Sequence, residues 1–392
     1  MRILHLSWEY PPVMYGGLGR HVHALAEMQA RQGDEVVVIT QSHPGAPADE
    51  VVNGVRVVRV ERDAPDVPDW RTRFIEWTFG FNVAVARAGI ALSVQWRPDV
   101  VHAHDWLVGQ AAVLLCEARD LPLVLTVHAT ENGRMGGVLL TDQSRAIDST
   151  EEWSVAHADR VIVCSAYMRD EVSTLFGCDP ELVSVIPNGI DGDDWTTTDS
   201  RRRSMRRRFG TPLVVYAGRL EAEKGVQTLI DALPAVRREL PDTRTVVIGT
   251  GGADRDLRAR ARRRRLGEAV TFTGYVSDED LRAIVAAADV VVVPSLYEPF
   301  GFVALEAMAL GAPVVVARVG GLAEIVENDR VGRTFVAGDA TDLAGVLLER
   351  LQHPRRARAS AEAARAELAE RFGWPGIADR TRDVYRAVSR PR

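Results

Sequence analysis

Short β-branched runs alternate with stretches of helical periodicity along the whole chain, and parallel strands, which need a helical crossover between neighbours, produce that pattern. Strands are expected at residues 3–6, 35–40, 55–60, 100–103, 123–127, 161–164 and 183–186. The turn formers Pro187-Asn188-Gly189-Ile190-Asp191-Gly192-Asp193-Asp194 then break the rhythm, an arginine-rich polar stretch follows, and a strand at 213–217 restarts it. Further strands are expected at 245–248, 270–272, 290–293 and 313–316, and beyond Asp339 only helical, Ala- and Arg-rich sequence remains. At 392 residues the chain exceeds one ordinary core. The expected fold class is therefore α/β, with two Rossmann-like doubly wound domains at 1–190 and 191–372 and a C-terminal helix within 373–392. Doubly wound sheets hold ligands at the carboxyl ends of their strands, so two such domains facing each other are expected to form a central cleft.

An apolar fraction of 46%, a charged fraction of 26% and a net charge of −6 describe a globular protein and argue against a general nucleic-acid binder. The arginine runs at 201–208 and 260–265 read as solvated helix faces. Cys116, Cys164 and Cys178 lack metal-ligand spacing and leave an odd one unpaired, which fits a reducing cytoplasm. The N-terminus reads as free of a signal peptide, no stretch approaches the length of a membrane span, and peripheral membrane contact is not expected. Eight of nine histidines precede residue 158, and six of eight tryptophans, Trp70 among them, precede Trp195. That asymmetry marks the first domain as the one built for polar, ring-stacking ligands.

Three stretches carry chemistry, and two more imitate it. Gly16-Gly17-Leu18-Gly19 opens a helix after the first strand, where small residues let backbone N–H groups approach an anion. Arg219 and Lys224 follow the first strand of the second domain, and Lys224 is the one lysine among 48 basic residues. An ammonium is a compact point charge that a guanidinium fork does not replace in a tight phosphate pocket, so the pair suits a diphosphate. Tyr297-Glu298-Pro299-Phe300-Gly301-Phe302-Val303-Ala304-Leu305-Glu306 reads as strand, turn and helix, with the N–H groups of Gly301, Phe302 and Val303 free at the first turn. Glu298 and Glu306 can then face one extended ligand and accept hydrogen bonds from sugar or ribose hydroxyls. Asp191-Gly192-Asp193-Asp194 imitates an acidic metal motif but falls in the interdomain turn, and Gly249-Thr250-Gly251-Gly252 lacks dinucleotide spacing and reads as a place where a nucleotide approaches the backbone.

Gly218-Arg219-Leu220 with Lys224-Gly225, and the Glu298/Glu306 pair, resemble the signature of retaining glycosyltransferases of the GT-B architecture, in the manner of family 4. Ser7-Trp8-Glu9-Tyr10-Pro11-Pro12, Val101-His102-Ala103-His104-Asp105-Trp106 and Thr126-Val127-His128 are similar to glycogen and starch synthases. The resemblance implies that Arg219 and Lys224 hold the donor diphosphate with help from Gly16 and Gly17, that Glu298 binds donor-sugar hydroxyls, and that Glu306 binds the ribose. Phe300, Gly301, Phe302 and Val303 join the donor site. His128 and Asp105 line the acceptor side, His128 partly through its carbonyl, and the C-terminal helix crosses back to the first domain. It also implies transfer without a metal or other cofactor, from ADP-glucose or UDP-glucose to a glucan or oligosaccharide, with hinge closure assembling the site.

Tyr15 stands where bacterial glycogen synthases usually carry a basic residue, and residues 129–136 depart from their pattern, which leaves donor nucleotide and acceptor open. The alternatives are the same chemistry on a small acceptor (glucose 1-phosphate, a phospholipid headgroup or a polyol), a nucleotide-sugar epimerase of similar fold, and an inactive sugar-nucleotide sensor. The intact Arg219, Lys224, Glu298 and His128 argue against the last.

Overall fold

Valine-rich runs become interior strands because a segment covered on both faces has no polar side to show water. The computed structural model describes residues 1–61 and 73–389, so Trp70 lies outside the described residues. The first half forms β1 (Arg2–Leu6), β2 (Glu35–Gln41), β3 (Asp49–Val52), β4 (Val55–Val60), β5 (Val100–His104), β6 (Leu123–Val127), β7 (Arg160–Val163) and β8 (Val183–Val185). Their order is β3-β4-β2-β1-β5-β6-β7-β8, parallel except where β3 runs antiparallel to β4. The second half forms β9 (Leu213–Ala217), β10 (Arg244–Ile248), β11 (Val270–Gly274), β12 (Val290–Val293), β13 (Val314–Ala317) and β14 (Arg333–Phe335), ordered β11-β10-β9-β12-β13-β14 and parallel. Every residue of β5, β6, β9, β12 and β13 is buried.

Two strands were not anticipated. β3 is largely exposed and lacks hydrophobic alternation. Its partner is set by the Asn53-Gly54 turn, both residues at positive φ (50° and 85°), the backbone twist a two-residue hairpin requires. β14 has three residues, too few for a periodic signal. The expectation that no stretch is long enough to span a membrane is corrected by the 22-residue helix Phe74–Gln95, which passes by length and composition with a mean hydropathy of 1.2. Half of its apolar window is buried, with Trp77, Phe81 and Val85 turned inward. The two arginine runs do form helices, Asp199–Phe209 and Asp254–Arg263, in which Arg206 bonds Asp289, and Arg260 bonds Asp231.

Chain contacts divide the protein into two compact units, Met1–Gly189 with Trp374–Arg392, and Ile190–Gly373. In the first, the helix Trp374–Val388 buries Trp374, Ile377, Ala378, Thr381 and Tyr385, the spacing of one helical face. That face joins Ile3, Leu25, Val100, Val124, Ile162 and Ile186 in a common core. Gly189 lies so close to Trp374 that an added Cβ would stand 2.5 Å from the indole. Arg382 pairs with the mostly buried Asp34 at 2.7 Å, fixing the helix against the turn before β2. The second unit has its own core, in which β9, β10 and β12 pack on the helix Val226–Glu239 through Val214, Val247, Val292, Leu229 and Leu233.

The C-terminal helix is thus part of the first unit's interior. Ile377→Ala, at a fully buried position, is expected to lower unfolding free energy by about 2–5 kcal/mol. Urea unfolding of the full chain, followed through tryptophan fluorescence, checks this, and a midpoint unchanged from wild type contradicts it.

Candidate active site

In the second unit the site is built by a close approach of two loops. After β9 the chain turns through Gly218 at φ +147° and makes the short helical turn Ala222–Lys224, and Gly225 at φ +66° begins the helix Val226–Glu239. A Cβ on Gly225 would lie 1.8 Å from the Pro294 carbonyl oxygen, so only glycine fits there. The N–H groups of Leu296 and Tyr297 donate to the Glu223 carbonyl at 2.7 and 3.3 Å, joining this loop to the one after β12. The result is Lys224 Nζ donating to Glu298 Oε2 at 2.8 Å, with Ser295 Oγ donating to the same oxygen at 3.0 Å. Both charged side chains are mostly covered, where a pair is screened less than at an open surface.

Arg219 stands on the same loop, its backbone held by Tyr216, whose hydroxyl donates to the Arg219 carbonyl at 2.7 Å. Its guanidinium is exposed and lies 3.4 Å from Glu223. Gly301, at φ +121°, precedes the helix Phe302–Ala309, which has no side-chain cap. The first-turn N–H groups of Phe302 and Val303 have no acceptor within the helix. Glu306 is buried about one turn along that helix. Phe300, expected at the donor, turns inward with its ring 5.4 Å from Phe302 and 6.1 Å from Phe372, so only its backbone remains available. The Gly249–Gly252 reading is also corrected. Added Cβ atoms at Gly249 and Gly251 would meet the carbonyl oxygens of Gly218 and Leu220 at 1.9 and 2.4 Å, so these glycines let two protein loops nest.

In the first unit, Glu9 organises the glycine loop. Its Oε2 accepts the N–H groups of Tyr15 at 2.7 Å and Gly16 at 3.1 Å, and a Cβ at Gly19 would reach 2.9 Å from that oxygen. The amide of Gly16, expected to face the donor, is therefore turned to Glu9, while Gly17 starts an uncapped helix. Asp105 adopts φ +62°, unusual for a non-glycine residue, and its Oδ1 accepts the His128 N–H at 2.7 Å. The sequence thus named two residues that are directly bonded, with Asp105 holding the backbone of His128.

The histidine asymmetry has a different cause from the expected one. His5, His21, His102 and His104 are buried inside the first unit. His5 on β1 pairs in register with His102 on β5, and His104 follows two residues on, the repeat of one sheet face. Ring nitrogens of His5, His102 and His104, and of His21, His104 and His128, form two groups within 4.8 Å. Hydrogen bonds among them and to Gln29, Thr126 and Tyr385 engage most of these nitrogens. Asp191 to Asp194 joins neither group, and Asp191 Oδ1 accepts the Asp193 N–H at 3.0 Å in an exposed turn.

Burial dominates the ionisation of this region. It pushes His5 down to about 4 and His128 to about 3, the latter with a smaller contribution from Arg134, and it holds His21, His102 and His104 well below their ordinary value. Burial likewise raises Asp105 to about 6 and Glu151 to about 8, and lifts Glu9. The imidazoles stay neutral in the folded protein and charge in the unfolded one as pH falls below about 6.5, so each removes stability from there down through its folded value. The carboxyls act oppositely, since the folded state takes up their protons first. Asp148 is also raised by burial, and the five imidazoles still outnumber these four carboxyls, so thermal stability is expected to fall from pH 7 to pH 5. Calorimetry at the two values checks the sign, and a higher melting temperature at pH 5 contradicts it.

Residues 15–194 match the family described as Glycosyltransferase Family 4, and residues 198–367 match Glycosyl transferases group 1. The chain is 42% identical to a glycogen synthase of Mycobacterium tuberculosis, an alignment covering 100% of this chain and 95% of that one. It is 33% identical to an α-maltose-1-phosphate synthase of Mycolicibacterium smegmatis, covering 99% and 100%. Among solved structures, sucrose-phosphate synthase from Thermosynechococcus elongatus superposes with a TM-score of 0.82 at 25% identity, covering 98% of both chains. With two parallel-sheet units, a lysine–glutamate pair at the strand ends of one, and these relatives over its full length, the chain belongs to the GT-B glycosyltransferases of family 4.

Proposed function

We propose that this protein is a retaining α-glucosyltransferase that moves glucose from a nucleoside diphosphate glucose onto an α-1,4-glucan. The observation that carries this reading is the Lys224–Glu298 pair beside an uncapped helix N-terminus, in a chain whose relative at 42% identity is a glycogen synthase. Lys224 and Arg219 take the diphosphate, and the N–H groups of Phe302 and Val303 add a helix terminus suited to an anion. Diphosphate binding draws Lys224 towards the leaving group and frees Glu298 Oε2 for the sugar hydroxyls, while Glu306 accepts from the ribose. His128, held by Asp105, serves the acceptor side. As the bond from the anomeric carbon to the diphosphate oxygen breaks, the acceptor hydroxyl oxygen bonds that carbon on the same face and its proton passes to the departing phosphate. The protein's work is positioning and stabilisation of separating charge.

A second reading keeps the chemistry with glucose 1-phosphate as acceptor, favoured by the α-maltose-1-phosphate synthase at 33% identity. ADP-, UDP- and GDP-glucose assayed against glycogen, maltooligosaccharides and glucose 1-phosphate separate the two. Labelled glucan supports the first, maltose 1-phosphate the second, and donor turnover without any acceptor supports an epimerase.

Lys224→Ala is expected to lower transfer by about a hundredfold or more, the scale of losing a group that stabilises developing charge, and Lys224→Arg to recover little. Steady-state rates on folded variants check this, and full activity of the arginine variant contradicts the role of the ammonium. Activity is also expected to survive EDTA, since two cations serve the diphosphate. Loss restored by Mg²⁺ or Mn²⁺ overturns that expectation.

A further inference from the structure

Gln29 and Tyr385 are both fully buried, one on the helix Gly17–Arg31 and the other on the helix Trp374–Val388. Each ends a hydrogen-bonded row of imidazoles. Gln29 Oε1 lies 2.8 Å from His5 Nε2. A carbonyl oxygen only accepts, so the proton is on His5 Nε2. In a neutral ring the other nitrogen, Nδ1, must then accept, and the atom facing it at 3.0 Å is His104 Nε2, which donates. His104 Nδ1 is left to accept from His128 Nε2 at 3.3 Å.

The second branch obeys the same rule. Gln29 Nε2 donates to the Tyr385 hydroxyl at 3.2 Å, whose own hydrogen goes to His102 Nδ1 at 2.6 Å. His102 Nε2 then donates to Thr126 Oγ1 at 2.7 Å. Each contact pairs one donor with one acceptor. Reversing the Gln29 amide would reverse every link, so one side chain sets the direction of the array. Charge does not disturb it, because desolvation keeps His5, His102, His104 and His128 neutral near pH 7.

We infer that Gln29 is a positioning residue for transfer: through His5 and His104 it fixes His128 as the Nε2–H tautomer and leaves Nδ1 as a hydrogen-bond acceptor for a sugar hydroxyl. The inference rests on the placement of His128 at the sugar under the proposed function. No protein group among the described residues bonds His128 Nδ1, and the Asp105 bond to the backbone N–H holds the residue from the other side. The direction of an amide more than one side chain away thus decides whether the site offers an acceptor or a donor.

Long-range proton–nitrogen NMR on the full chain labelled with ¹⁵N-histidine reads the tautomers directly, with His128 assigned by the signal lost in His128→Asn. The expected spectrum at pH 7 has His5, His102, His104 and His128 all as Nε2–H. A protonated Nδ1 on His128, neutral or charged, overturns the inference whatever the activity. In Gln29→Met, His128 should become a mixture of tautomers. kcat should fall up to about tenfold, the worth of one neutral hydrogen bond, while KM for the nucleotide sugar changes less than about twofold. An unchanged His128 tautomer and kcat in that variant deny Gln29 its role. Should the variant not fold, the wild-type spectrum still decides the tautomer. Inactivity of the wild type on every nucleotide sugar would instead defeat the functional reading without moving any tautomer.

Discussion

The contact of Gly225 with the Pro294 carbonyl is the constraint on which the candidate site in the second unit depends. With no side chain at 225, the loop after β9 settles against the loop after β12, and the amides of Leu296 and Tyr297 reach the Glu223 carbonyl. Lys224 is thereby set beside Glu298 although 74 residues separate them. Any larger residue at 225 would require backbone to move, and the lysine–glutamate geometry would move with it. The glycines at 249 and 251 repeat the device in the same region, each packed against a backbone carbonyl.

The first unit solves a different problem. Its sheet ends carry imidazoles where a parallel sheet ordinarily carries aliphatic residues, and a buried polar group is costly unless it is hydrogen-bonded. The bonds come from Gln29, Tyr385, Thr126 and the imidazoles themselves. Because the C-terminal helix supplies Tyr385, the last segment of the chain completes the polar interior of the first unit as well as its apolar core. Glu9 and Asp105 finish the arrangement by accepting backbone N–H groups, which holds the glycine loop and His128 in place.

Several residues of the candidate site are legible in the sequence. Lys224 as a lone lysine reads as a phosphate partner, the Glu298/Glu306 spacing as a partner for sugar or ribose hydroxyls, and the Gly301 turn as a source of free N–H groups. Gln29 carries a signal in the sequence: it follows Val22, Leu25 and Ala26 on the buried stripe of its helix, where a polar residue must have a partner. The burial of the Phe300 ring was not legible, because an aromatic residue inside a functional motif reads equally as site and as core. Gly16 misled because a glycine-rich helix start offers amides, and sequence does not say whether a carboxylate of the same chain already accepts them.

What the sequence determined by itself was the alternation that makes parallel α/β units, the break near residues 187–194, and the chemical types gathered near the strand ends, since these follow from local periodicity and turn chemistry. Which groups meet emerges only on folding: Lys224 with Glu298, Asp105 with the His128 amide, Glu9 with Gly16, and Gln29 with both His5 and Tyr385. The reason is physical. A strand's pattern is written in neighbours two residues apart, whereas a hydrogen bond between distant segments exists only after burial has excluded the water that would otherwise compete for it.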